Sequence, residues 1–483
     1  MDRLKLFLIL FFVSLCMINL ALNPLAQENK QSLSPLNLLG DWEGKIKLPG
    51  NSLSIIIHFQ QSEQNQLLAT LDSPDQGIAD IPVDTILLND HYFTLKIEAI
   101  KAEFQGQLTA PDIIEGTLIQ GGMTMESHLN RITKIASRNR PQEPQPPFPY
   151  QSEDITFQNT RDNIRLAGTL TYPNDKGPFP TIILISGSGA QDRNEAIFGH
   201  KPFLLLADYL TRQGFAVLRY DDRGIGDSEG NIALSTSKDL ANDVIAAIQF
   251  LQKQPEINTE NIGLLGHSEG GIIAPMVALR SDSVKFMILM AAPGLSGEEI
   301  SYYQSEAIGR AAGQDEAVLQ LNQSYSRKMF AQVKQHKEIE KLKKELIQIN
   351  EQYLQELEAL LGTLPEGARK NQHIQIETLL LPWTQFYLSF DPAVTLQKID
   401  IPVLALNGDK DIQVPAEKSL KAIQNALQSG ENPPAMIKKI PGVNHLFQPC
   451  ITCTLEEYAQ IETTMAPEVL SIIGEWVNQF IPS

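Results

Sequence analysis

Two hydrophobic textures divide this chain. From about Leu36 to Ile132 the apolar residues fall in short runs: Ser54–Phe59, Leu67–Leu71, Tyr92–Ile97, Ala102–Leu108 and Ile113–Ile119. Turn residues interrupt them roughly every 8–12 positions, and helical spacing is absent, so the segment reads as an antiparallel all-β domain, a small barrel or sandwich. Beyond it the pattern changes. Asp154–Gln158 and Ile164–Tyr172 open with two strand-like segments, and fully apolar runs follow at Thr181–Ile185, Phe286–Met290 and Ile401–Leu406. Such continuous runs, bounded by Gly and Pro, predict strands buried on both faces. Between the runs at Phe286 and Val403 lies a long insertion in which Ile339, Leu342, Leu346, Ile349, Tyr353, Leu357 and Leu360 recur at spacings of three and four. That spacing predicts an amphipathic helix, with Lys and Glu on the opposite face.

The two textures are separated by Arg140–Pro149, in which prolines dominate. Proline fixes φ and removes a backbone donor, so residues 137–152 are expected to form an extended, semi-rigid linker. The chain thus divides into a β-rich domain over 36–135, the linker, and a larger domain over 153–483. At its start, Arg3 and Lys5 precede an apolar run from Leu6 to about Leu22, followed by polar residues. This is the pattern of a secretory signal peptide over 1–26, with cleavage after Ala26, and an uncleaved anchor helix is the rival. Export to the periplasm or the extracellular space is therefore expected.

Composition narrows the partners. Net charge is -18 over 483 residues, which disfavours nucleic acid and anionic membrane surfaces, since phosphates reward clustered Lys and Arg. After the leader no segment is long and apolar enough for a bilayer, and stable membrane insertion is not expected. Of the three cysteines, Cys16 lies in the leader, while Cys450 and Cys453 form a C-x-x-C pair suited to a local disulfide. A zinc site would need two further ligands and has no second pair, so neither metal nor cofactor is expected.

The chemistry lies in Gly266-His267-Ser268-Glu269-Gly270. It fits G-x-S-x-G, with the strand-like Asn261–Leu265 before it and the helix-like Gly271–Leu279 after it. A serine on so sharp a strand-to-helix turn presents its hydroxyl at the top of a sheet. Such a nucleophile needs a histidine to accept its proton and a carboxylate to orient that histidine. The acidic turn Asn407-Gly408-Asp409-Lys410-Asp411 offers two acids, Asp411 as the first choice and Asp409 as the second. Of eight histidines only His445 follows this turn, after the short strand Ala435–Ile440, whereas His336 and His373 sit in the helical insertion. The oxyanion requires two backbone donors. Glu269, directly after the nucleophile, supplies one. Ser188 in the glycine-rich Ser186-Gly187-Ser188-Gly189 is the candidate for the other, with Gly187 next.

These motifs resemble the α/β-hydrolase superfamily. Tyr220–Ser228 is similar to its D-x-R-G-x-G-x-S loop, and Ser186–Arg193 resembles the S-G-S-G-x-Q-D-R segment of a bacterial esterase subgroup that is also described as serine aminopeptidase-like. The resemblance covers about residues 150–483 and implies an α/β-hydrolase fold with the order serine, acid, histidine along the chain. Ser186 stands where the commoner His-Gly oxyanion pattern has histidine, which leaves the donor pair open. More weakly, the N-terminal region resembles lipocalin-like β-modules. The insertion over about 295–390 is expected to form a helical cap, read as a lid over the site, with side packing or a dimerising coiled coil as alternatives. The expected activity is hydrolysis of a small-molecule carboxylic ester through an acyl-serine. A peptidase on the same triad and a non-catalytic binding protein on this scaffold are the alternatives, and oligomeric state is not legible.

Overall fold

The computed structural model describes residues 35–481, apart from 49–50, 63–65, 74–77, 90–91, 121–122, 133–138, 336–337, 365–374, 431–432 and 434. The expected leader lies outside the described residues. Nine strands build the first domain: β1 (Gly40–Leu48), β2 (Asn51–Gln61), β3 (Leu67–Ser73), β4 (Ile78–Pro82), β5 (Thr85–Leu88), β6 (Phe93–Ile97), β7 (Ala102–Ala110), β8 (Ile113–Gln120) and β9 (Met123–Ile132). They form one curled antiparallel sheet in the order β4-β3-β2-β1-β9-β8-β7-β6-β5, a half-barrel. Side chains alternate across a strand, so one face fills the core. In β7, for example, Ala102, Phe104 and Leu108 are buried while Gln105 is exposed. Trp42 lies at the centre, its Nε1 donating to the Leu38 carbonyl at 2.7 Å and the Arg131 guanidinium stacked 4.1 Å from its ring.

A charged cluster ties three of these strands. His58 on β2 pairs with Asp41 on β1 at 2.7 Å through Nδ1 and with Asp72 on β3 at 2.9 Å through Nε2. Burial lowers the pKa of this histidine, but the two aspartates more than reverse that, and the net direction is upward from 6.5.

The second domain carries β10 (Tyr150–Asn159), β11 (Ile164–Pro173), β12 (Phe179–Ile185), β13 (Ala216–Tyr220), β14 (Ile257–His267), β15 (Val284–Met290), β16 (Val403–Gly408) and β17 (Met436–Ile440). Their order is β10-β11-β13-β12-β14-β15-β16-β17. The first two strands are antiparallel to their neighbours, and from β13 to β17 every pair is parallel. This is the α/β-hydrolase sheet. The longer helices are α1 (Pro202–Arg212), α2 (Ser237–Leu251), α3 (Gly270–Ala278), α4 (Gly297–Ala311), α5 (Glu316–Gln335), α6 (Ile339–Leu361), α7 (Pro382–Ser389), α8 (Ala416–Gln428) and α9 (Pro467–Val477). Helices cover both faces. One core layer joins Ile183, Leu264 and Met287 to residues of α2, α3 and α8, and the other joins Ile182, Leu265 and Ile288 to α1 and α9. Burial on both faces is why these strands read as unbroken apolar runs.

The insertion between β15 and β16 is helical, α4 to α7, and has a core of its own. The striped helix α6 packs Leu342, Leu346, Tyr353 and Leu357 against Tyr325, Met329 and Val333 of α5, while the stripe's ends, Ile339 and Leu360, are exposed. Among the cap helices, α7 lays Trp383 and Tyr387 on Ile272 of α3, the helix that follows Ser268.

The proline-rich linker differs from a bare spacer. Its prolines cannot donate, but Arg140 donates to the carbonyls of Phe198, Gly199, Ala459 and Ile461, at 2.7–3.1 Å. The Gln142 side chain accepts from the amides of Thr464 and Met465. The segment is thereby fastened along the hydrolase domain.

The His58 cluster makes the β-domain pH-sensitive. A folded-state pKa above the unfolded value adds stability that is full below about 6.5 and is lost as pH rises through the raised value. Hydrogen exchange of β1, β2 and β3, corrected for intrinsic rates, should show stronger protection near pH 6 than above pH 8. The difference should vanish in His58→Gln, and protection equal at both pH values would show that the cluster contributes nothing.

Candidate active site

Ser268 joins β14 to α3 with φ of +51°, in the left-handed region that L-residues with a Cβ avoid. Holding it there costs on the order of 1–3 kcal/mol and requires surroundings that allow no alternative. Those surroundings are tight. A Cβ on Gly266 would lie 2.1 Å from the Gly270 carbonyl oxygen, and one on Gly270 would lie 2.1 Å from that of Ile185. The Ser268 amide donates to Met290 at 2.8 Å, tying the elbow to the end of β15.

The candidate acid and base follow β16 and β17, the last two strands of the sheet. Asp411 follows β16 with a fully buried side chain. One oxygen accepts from the amides of Gln413 and Val414 at 2.7 and 2.9 Å, and the other meets His445 Nδ1 at 2.7 Å. With Nδ1 committed to the carboxylate, Nε2 is the nitrogen of His445 left to exchange a proton. Asp409 is exposed and does a different job: it accepts from the Gly442 amide at 2.7 Å, latching the turn that leads to His445.

The loop after β12 runs against the nucleophile, since a Cβ on Gly187 would sit 3.2 Å from the Ser268 Cβ. The Gly187 amide donates to Glu195 at 2.7 Å and so is not available to an oxyanion. Among the described residues the amides of Ser188 and Glu269 meet no acceptor of the chain. The loop is pinned by the D-D-R-G stretch after β13. Asp222 accepts from Ser186 Oγ at 2.9 Å and from the Gln191 amide at 3.0 Å, Asp221 pairs with Arg193, and Arg223 pairs with Asp243 and Asp162. Burial drives the Asp222 carboxyl well above the usual range, against those two donors.

The side chain of Glu269 is enclosed as well. It accepts from Ser237 Oγ at 2.5 Å and from Trp383 Nε1 of α7 at 2.7 Å, and the Ser188 side chain lies near enough to lower its pKa. Burial raises its pKa despite these donors. The residue after the nucleophile therefore links the elbow, the loop after β12 and the cap.

Cys450 and Cys453 are disulfide-bonded in the segment after His445. Close by, the Tyr458 hydroxyl accepts from the His445 amide at 3.3 Å. Glu195 and Tyr458 belong to no motif that the sequence displays, and only the fold brings them to the site. Glu195 lies two residues past the segment Ser186–Arg193 that resembles an esterase loop, and Asp222 lies inside the D-x-R-G loop.

The family profile described as X-Pro dipeptidyl-peptidase (S15 family) matches residues 162–439, more than half of the chain. This chain belongs to that family. It is an α/β-hydrolase of the serine hydrolase type. Esterase EstD of Thermotoga maritima is 27% identical over 308 residues, which are 62% of this chain and 61% of that esterase. A protein from the traX-finO intergenic region of Escherichia coli is 26% identical over 280 residues, 57% of this chain and 87% of that protein. Among solved structures, an esterase of Pyrococcus furiosus aligns with 69% of this chain and 92% of its own at 17% identity, with a TM-score of 0.42.

The two aspartates should separate sharply in kinetics. Asp411→Asn leaves the shape but favours the wrong imidazole tautomer, a loss on the order of 10⁴-fold in a serine triad. Asp409→Asn, which keeps an acceptor for Gly442, should stay within about tenfold of the parent. Comparable losses in kcat for the two variants would show that Asp411 is not the orienting acid.

Proposed function

We propose that this protein hydrolyses carboxylic esters through an acyl-serine intermediate, with Ser268 as nucleophile, His445 as general base and Asp411 as its orienting acid. The observation that carries the reading is the buried Asp411–His445 contact of 2.7 Å at the ends of adjacent parallel strands, with Ser268 strained outward two strands away. In this mechanism Ser268 Oγ attacks the ester carbonyl carbon while its proton passes to His445 Nε2. The tetrahedral oxyanion forms against the amides of Glu269 and Ser188, fixed dipoles that cost no reorganisation. His445 returns the proton to the departing alcohol oxygen. A water then attacks the acyl-serine with the same base, releasing the acid and restoring Ser268.

Ester rather than peptide cleavage draws support from the named esterase among the relatives, of which this chain spans 61%. The second reading, an aminopeptidase-like or dipeptidyl-peptidase activity, draws support from the family's description. Both chemistries use the same parts. The apolar leader and the Cys450–Cys453 disulfide support an exported enzyme acting in an oxidising compartment. In the cap, the Trp383–Glu269 bond supports a lid that closes on the elbow through α7.

p-Nitrophenyl esters of graded chain length, assayed beside aminoacyl and dipeptidyl anilides, decide between the readings. Esters should be turned over at least about 100-fold faster in kcat/KM, a preference the shared triad does not itself dictate. Anilides as the better substrates would reverse the assignment. Ser268→Ala should lose turnover and labelling by a fluorophosphonate while keeping the parent's melting temperature.

Trp383→Phe keeps an aromatic ring, though a smaller one, and removes the donor to Glu269. It should loosen α7 and broaden the chain-length preference of the esterase, with a fall in melting temperature from the lost buried bond, worth about 1–3 kcal/mol. An unchanged preference would mean that α7 is a fixed wall and not a moving lid.

A further inference from the structure

A second histidine–carboxylate pair lies directly beneath the proposed triad and has no part in the chemistry described above. His267, the residue before the nucleophile, places Nδ1 2.8 Å from Glu195 Oε1 and Nε2 3.1 Å from the carbonyl oxygen of His445. Both side chains are almost wholly enclosed, at 8% and 4% exposure. The same Oε1 of Glu195 also accepts from the Gly187 amide at 2.7 Å. Apolar side chains, Phe203, Leu206, Met290 and Met465 among them, line a small cavity beside the pair.

The geometry matches the charged form of His267. Both ring nitrogens of His267 face acceptors, a carboxylate and a carbonyl. The ring donates to both only as the imidazolium. Burial works against that charge, but the Glu195 carboxylate outweighs it and the pKa of His267 is raised. An ion pair in so enclosed a place is weak evidence for stability, because desolvation offsets the attraction. Its position is more informative. Glu195 itself is held at φ of +49°, a second strained residue aimed at this one contact.

We propose that Glu195 and His267 are positioning residues that set the general base and the oxyanion loop relative to each other. One carboxylate oxygen orients the loop through Gly187, and so aims the next amide, that of Ser188. Through the His267 ring it also fixes the backbone carbonyl of His445, whose own ring is tilted at 48° to that of His267 with centroids 4.9 Å apart. Tyr458 holds the amide of the same residue, so the backbone of the base is gripped at both ends. Donor and base thus share a single reference point, which matters only once charge develops in the transition state. The proposal rests on the triad reading given above.

The test uses the full-length protein and the best p-nitrophenyl ester, with Glu195→Gln, His267→Gln and the double variant. Each single variant should lower kcat by about 10- to 100-fold while KM moves less than about threefold, the signature of an interaction made in the transition state. Affinity for an alkyl boronic acid, which forms a tetrahedral adduct on the serine, should fall by a similar factor. The double variant should be no worse than the poorer single one, because the pair acts as a unit. A kcat within threefold of the parent in a folded variant, a rise in KM alone, or additive losses would each overturn the proposal. Failure of both single variants to fold would assign the pair to the fold and overturn it too. Failure of the underlying triad is read separately: His445→Ala would then keep the parent's activity, and the fluorophosphonate would not label Ser268.

Discussion

The close approach of β14 to the helix that follows it is the constraint on which the site depends. With a Cβ at Gly266 or Gly270 the clash distance would be 2.1 Å, against backbone oxygen in both cases, which no side-chain rotation relieves. Only glycine allows the strand to turn into the helix within three residues. The residue between them is forced to positive φ, and that residue is Ser268. Once the turn is set, its neighbours on either side acquire fixed directions. His267 points under the sheet end toward Glu195, and the Glu269 side chain points toward the cap. A single backbone strain thus distributes three consecutive side chains to three different tasks.

Around the elbow the structure spends its buried charges on loops more than on strands. Asp222 holds the segment after β12, Arg223 ties the segment after β13 to α2, and Asp411 accepts from the amides of Gln413 and Val414 in the turn after β16. Each ties irregular backbone, which has no ladder of its own to satisfy its donors and acceptors. In this way a set of loops, ordinarily the mobile part of a fold, is given the rigidity that catalytic geometry demands.

The linker extends the same logic beyond the site. Four carbonyls accept from Arg140, two from the loop that carries Glu195 and two from the segment that follows Tyr458. The first segment reaches the His445 carbonyl only through His267, which Glu195 holds, and Tyr458 accepts from the His445 amide directly. Arg140, a linker residue, therefore bridges the two segments that carry Glu195 and Tyr458. The cap contributes a third connection, through Trp383, at the opposite side of the nucleophile.

Much of this was legible in the residues. Apolar runs marked the strands of the larger domain because parallel strands are buried on both faces, and short runs punctuated by turn residues marked the β-domain because antiparallel strands are joined by tight turns. G-x-S-x-G marked the elbow, and chain order marked the acidic turn and His445, because these depend on local backbone geometry at strand ends. The stripe on α6 marked a helix but not its partner: the stripe faces α5 in the cap's own core. Tertiary structure alone decided the rest. Asp411 differs from Asp409 by two positions, and only the packing of the turn shows that one is enclosed against His445 and the other exposed to latch Gly442. Gly187 and Ser188 look alike as donors until Glu195, eight residues away, is seen to take the first amide. Glu195, His267 and the His445 carbonyl meet across 72 and 178 positions of sequence. Periodicity and motif report what neighbouring residues do to one another. Contacts between distant segments follow from how the sheet brings strand ends together, and no local pattern encodes them.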